Sequence, residues 1–147
     1  MARRKKLSKK EKSSGVIIFR KEGGRNYYLL LNYGKNYWGF CKGGVEKGET
    51  KLDAAKREAK EETDIKKLNF IKGFEKRISY SFKKRGSEKI LKEAIFYLAE
   101  ARTKKVKISS EHIGFKWLLY NQAIKKTTFK NAKEVLKKAN SFLKNIK

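Results

Sequence analysis

The sequence predicts a single α+β domain, in which helices pack against a mixed β-sheet. Three observations predict it. The 147 residues are enough to bury one core and too few for two. Short apolar runs rich in β-branched and aromatic residues recur between polar, glycine-bearing turns, and two other stretches repeat their apolar positions at three- and four-residue steps. No internal repeat and no long linker divides the chain, so both kinds of element belong to one fold.

In order along the chain, residues 1–12 ("MARRKKLSKKEK") are strongly basic and are expected to form a tail ahead of a domain spanning residues 13–147. The runs "GVIIFR" (15–20) and "NYYLLLNY" (26–33) read as a β-hairpin across "KEGGR". A glycine-rich loop follows, then a helix over residues 51–63 that Thr50 and Asp53 are placed to cap. Residues 69–82 and 90–101 read as strands across the polar turn "KKRGSEK". Alanines and leucines would also allow a helix over the second run, but its partner across the turn and the β-formers in "IFY" favour a strand. Residues 113–120 give a further strand, and Phe129, Ala132, Leu136, Ala139, Leu143 and Ile146 mark the buried stripe of a C-terminal helix.

A formal charge of +25 draws the chain toward polyanions, whether nucleotides, nucleic acids or acidic membranes, or simply gives it a well-solvated surface. Cys41 is the only cysteine, so no intramolecular disulfide forms and a reducing compartment is expected. With neither a signal-peptide core nor a membrane span, the expectation is a cytoplasmic monomer without membrane contact. The basic leader either holds RNA or is a plain solvated tail.

Against that charge, "KGGVEKGETKLDAAKREAKEETDI" (42–65) gathers carboxylates. On a helix, Glu58, Glu61 and Glu62 share a face, with Leu52, Ala55 and Ala59 as the adjacent apolar stripe that docks on the sheet. Two readings follow. The glutamates pair with Lys56, Arg57 and Lys60 on a solvated helix, or they form a hard-oxygen site for Mg²⁺ or Mn²⁺, which need few protein ligands when phosphates complete the shell. The glycines ahead of the helix, Gly43, Gly44 and Gly48, allow close backbone approach to a ligand.

The spacing of Gly43, Glu49 and the run Arg57-Glu58-Ala59-Lys60-Glu61-Glu62-Thr63-Asp64-Ile65 resembles the signature box of Nudix hydrolases. It departs at Asp64, where the family usually carries glycine in a left-handed conformation. "WGFCKGGVEKGE", "KEAIFYLAE", "SEHIGFKWL" and "FKNAKEVLKKANSFL" are similar to segments of the diadenosine tetraphosphate hydrolase branch, and the resemblance covers most of residues 13–146. It implies a Nudix-type α/β/α sandwich with a catalytic helix after the glycine-rich loop. It also implies a metal-dependent pyrophosphohydrolase that cleaves the dinucleotide to ATP and AMP. By this resemblance Glu58, Glu61 and Glu62, with the Gly43 carbonyl, hold Mg²⁺ or Mn²⁺. Arg57 and Glu49 orient the helix and its loop, and Glu111 is a further ligand or base, or else an exposed loop carboxylate. Lys42 and Lys92 match lysines that meet the polyphosphate, though either could be a surface lysine. Tyr80 and Phe129 are candidates for stacking adenine, against the alternative of core aromatics. His112, the only histidine, is a base, a phosphate contact or a plain loop residue. The rival readings are an RNA 5′-pyrophosphohydrolase, another nucleoside-diphosphate hydrolase, and a silent RNA-binding module, which would have no need of Glu58, Glu61 and Glu62.

Overall fold

In the computed structural model, residues 8–83 and 89–146 are described. The elements follow one another as β1 (Ser8–Glu22), β2 (Arg25–Gly34), β3 (Tyr37–Gly39), β4 (Cys41–Gly44), α1 (Lys51–Thr63), β5 (Leu68–Phe70), β6 (Lys76–Lys83), β7 (Lys89–Ala101), β8 (Gly114–Leu119), α2 (Tyr120–Lys126) and α3 (Lys130–Asn145). One mixed sheet runs β3-β2-β1-β7-β5, with β4 added to β1, β6 to β7 and β8 to β2. β1 and β7 are parallel, and the pairs flanking them are antiparallel.

The period-two alternation of β1 sends its apolar residues into two cores. Ile17 and Phe19 join Val135, Leu136 and Ala139 of α3 on one face. Val16 and Ile18 meet Ala55 and Ala59 of α1 on the other. This is the α/β/α sandwich that the sequence implied. The contact face of α1 is built from Ala54, Ala55 and Ala59, all fully buried, whereas Leu52, expected in that stripe, is 36% exposed. Alanines let the helix backbone approach β1 and β4 closely.

Both helix ends use local chemistry visible in the sequence. The Thr50 hydroxyl accepts from the Asp53 amide at 3.0 Å, and the Asp53 carboxylate accepts from the Thr50 amide at 3.4 Å, completing a capping box. At the other end Asp64 takes the left-handed conformation, φ 58° and ψ 19°. A residue with a Cβ costs about 1 kcal/mol there relative to glycine. Asp64→Gly is therefore expected to raise the unfolding free energy by about that amount, read from urea melts, with turnover unchanged.

Several expectations need correction. β1 begins at Ser8, inside the segment expected as tail, because its backbone pairs with β7 from Ser8↔Lys89 onward. Residues 1–7, and with them most of the proposed RNA-holding leader, lie outside the described residues, as does the turn at 84–88. The expected strand 69–82 is two strands, β5 and β6, both on β7. Gly73, with φ 95°, turns the chain between them. Tyr120, expected to end a strand, instead opens α2, and the short strands β3 and β4 were not anticipated. Among the described residues no helix is long and apolar enough to cross a membrane.

Candidate active site

Arg57 on α1 ties the glycine-rich loop to the helix. Its Nε donates to Glu49 Oε2 at 2.6 Å and its Nη2 to Glu49 Oε1 at 3.0 Å, a bidentate pair. Nη2 also donates to the Gly44 carbonyl at 2.9 Å, while Nη1 donates to Glu58 at 2.9 Å and Glu61 at 3.3 Å. The Glu49 carboxylate accepts in addition from the Glu46 amide at 2.9 Å. The Arg57 guanidinium, followed by that amide, holds Glu49 down to about 2, so it stays charged and the loop stays clamped well into acid.

Glu58 and Glu62 converge behind β4. Glu58 lies where a Cβ on residue 43 would project, so only glycine leaves room for its carboxylate. Glu62 is 4% exposed and accepts from the Lys42 amide at 3.2 Å. Burial, then the charge of Glu58, pushes its carboxyl up to about 8, with Glu111 adding a smaller push in the same direction. Glu61 does not join them, because its carboxylate turns to Arg57 and is 58% exposed. Glu111 is exposed in the loop before β8. Among the described residues no three His, Cys, Asp or Glu side chains are arranged as a preformed metal site. The donors nonetheless suit a hard cation. Two carboxylates sit close enough to oppose each other's ionisation, their oxygens are the ligand type Mg²⁺ takes, and a substrate's phosphates can supply the remaining positions.

On the opposite face of the sheet lies a cavity of about 410 Å³ lined by Tyr37, Lys42, Ile78, Tyr80, Phe96 and Phe129, among others. The structure thus brings Tyr80 and Phe129 together, although they are 49 positions apart, and Phe129 is 54% exposed at the mouth. Tyr37, which sequence reasoning missed, packs edge-on against Phe129 at 4.8 Å and stacks on Tyr33 at 4.5 Å. Its signal was a tyrosine in "NYWGF" just ahead of the glycine loop, a run too short to show strand periodicity. Lys42 and Gly43 are neighbours on β4, so one side chain faces this cavity while the other position faces α1. Burial and then nearby Lys92 lower the Lys42 ammonium pKa, and Glu62 opposes the shift.

His112 does not reach this centre as a free base. It is 5% exposed, its Nδ1 lies 3.1 Å from Ser109 Oγ, and its ring packs edge-on against Tyr33 at 4.4 Å. Burial lowers its pKa, which favours the neutral ring, and the charge of Glu111 opposes the shift.

The NUDIX domain profile matches residues 9–139. The chain is 33% identical over 144 residues to the mouse (Mus musculus) asymmetrical bis(5′-nucleosyl)-tetraphosphatase, covering 90% of this chain and 95% of that one. The crystal structure of a C. elegans Ap4A hydrolase binary complex superposes with a TM-score of 0.81 at 31% identity, covering 92% of this chain and 99% of that one. A Pelagibacter ubique RNA pyrophosphohydrolase is 39% identical over 70 residues, 48% of this chain and 44% of its own length. With its glutamates and Arg57 clamp on the expected helix, the chain belongs to the Nudix family and is a pyrophosphohydrolase homologous to the asymmetrical bis(5′-nucleosyl)-tetraphosphatases.

Proposed function

We propose that the protein hydrolyses diadenosine tetraphosphate asymmetrically, giving ATP and AMP. The observation that carries this reading is the position of Lys42 and Gly43. They stand side by side between an aromatic cavity of about 410 Å³ and the Glu58–Glu62 carboxylates, so adenosine and reacting phosphate are held a fixed distance apart. Near-full-length likeness to tetraphosphatases supports the same substrate.

Glu58 and Glu62, with Glu61 after it turns from Arg57, and the Gly43 carbonyl would hold Mg²⁺ or Mn²⁺. The chemistry such an ion supplies is neutralisation of polyphosphate charge and acidification of water. The chain's own groups do the rest. Tyr80 and Phe129 stack the adenine, and Lys42 and Lys92 meet phosphate oxygens. Arg57 and Glu49 fix the loop, and Glu111, exposed and near Glu62, takes the proton of the attacking water or serves as a further ligand. Holding the adenosine end lets water reach one phosphorus in line and not its neighbours.

Chromatography of the products tests the reading. ATP and AMP in equal amounts, formed with Mg²⁺ and not with EDTA, are expected, and ADP as the sole product overturns it. A second reading, pyrophosphate release from 5′-triphosphate RNA, is favoured by the charge of +25 and by the half-length match to an RNA pyrophosphohydrolase. Turnover of such RNA without turnover of the dinucleotide would put it first.

A further inference from the structure

Beside the aromatic cavity lies a second groove of about 520 Å³, lined by Glu11, Lys12, Ser13, Lys42, Gly43, Gly44 and Lys92. Lys42 lines both depressions. Strand register shows that they share one face of the sheet. Glu11 is opposite Lys92, Lys92 opposite Tyr80, and Lys42 opposite Gly15, two steps beyond Ser13 on β1. Register partners project to the same side, and side chains two residues apart on a strand do too. Glu11, Ser13, Lys42, Lys92 and Tyr80 therefore stand together, while Gly43 meets Glu58 on the other side.

The geometry points to this groove as the seat of the second nucleoside of a dinucleoside polyphosphate, with Glu11 and Ser13 receiving its ribose hydroxyls. The inference rests on the substrate reading above and adds a site to it. A chain with its first adenine at Tyr80 and Phe129 and its phosphates at the Gly43–Gly44 edge leads directly into the groove, because Gly43 and Gly44 form its near wall. The far wall suits a sugar. Lys92 Nζ is 3.7 Å from Glu11 Oε1, and the two side chains remain 35% and 41% exposed, so both are open to a ligand. A carboxylate accepts from vicinal hydroxyls, as acidic residues do in dinucleotide-binding folds. Neither Lys92 nor Lys42 can accept, so they are left for phosphate. Among the described residues no aromatic side chain lines the groove, so these residues offer the second base no stacking partner.

The test is equilibrium binding in EDTA, where no turnover intervenes, of diadenosine tetraphosphate and of adenosine 5′-tetraphosphate, which lacks the second nucleoside. Glu11→Ala should weaken binding of the dinucleotide about tenfold, the value of a lost hydrogen bond to a charged group. It should leave the mononucleotide unweakened or slightly tighter, since a negative charge near phosphate has gone. Ser13→Ala should act in the same sense and more weakly. Replacing the second adenine by guanine should change the parent's affinity less than twofold. Equal weakening of both ligands, no weakening of the dinucleotide, or no binding of either by the parent overturns the seat. Product chromatography judges the substrate reading separately, since a parent that binds the dinucleotide without cleaving it fails that reading alone.

Discussion

Glu62→Gln is expected to lower turnover at least about 100-fold while making the metal-free protein more stable. Groups that merely support a ligand cost 10- to 100-fold on mutation, so a direct ligand should exceed that range. The amide matches the carboxylate in size and still accepts from the Lys42 amide, so the fold should persist. The stability gain has a definite pH window. The Glu62 carboxyl is raised from 4.5 to about 8 in the fold, so it favours the folded state fully in acid, and that contribution falls as pH rises from about 4.5 and is gone above about 8. Melting temperatures in EDTA should therefore drop less between pH 5 and pH 9 in the variant than in the parent. A well-folded variant with near-parent turnover would remove Glu62 from the site. Glu49 has the opposite sign, since Arg57 depresses it, and its contribution is lost only as pH falls from 4.5 toward about 2.

Gly43→Ala should produce a comparable loss by adding one methyl group. The new Cβ would occupy the place of the Glu58 carboxylate, which must swing away and give up its 2.9 Å bond from Arg57. Overpacking of this kind costs about 1–3 kcal/mol. Displacing a carboxylate from the centre should reduce turnover by one to two orders of magnitude on the reasoning applied to Glu62. Gly44→Ala is the control, because nothing lies within 4 Å of a Cβ there and its φ is not positive. Parent-like urea melts for Gly44→Ala beside a destabilised Gly43→Ala would support the Glu58 seat. Equal loss of stability at both positions would assign the effect to loop stiffness.

The box was legible because its residues interact locally. Thr50 with Asp53 was legible from capping chemistry, while Arg57 with Glu49 and the left-handed Asp64 came through the resemblance to the family's box, whose members lie in one helix, its cap and the loop before it. Strand pairing across the β6–β7 turn was legible for the same reason. What sequence did not show depends on packing between distant elements. Leu52 and Ala54 have equal claims to the buried face of α1 until the sheet is placed, and the i,i+4 pairing of Glu61 with Arg57 was one of two readings that helix spacing alone left open. The burial of His112 requires Tyr33, 79 positions away. The basic composition of residues 8–12 suggested a solvated tail, because the β-pairing that holds them is made by their backbone with a strand much later in the chain.

That late partner sets the order in which the chain can assemble during synthesis. Ser8 faces Lys89, 81 residues further on, whereas the Phe19–Tyr28 end of β1 meets β2 across a two-residue turn. At 5–20 residues per second, roughly 4–16 s separate the making of the two strands. Through that interval "GVIIF" is paired only by strands made early, β2 at Phe19 and β4 at Gly15 and Val16, and the edge that β7 will cover is open to pairing with a neighbouring nascent chain. Lys9, Lys10 and Lys12 precede it in the sequence, and for two such edges to join like charges would have to be stacked. Neutralising those three lysines is therefore expected to show first as lower soluble yield, before any effect on turnover.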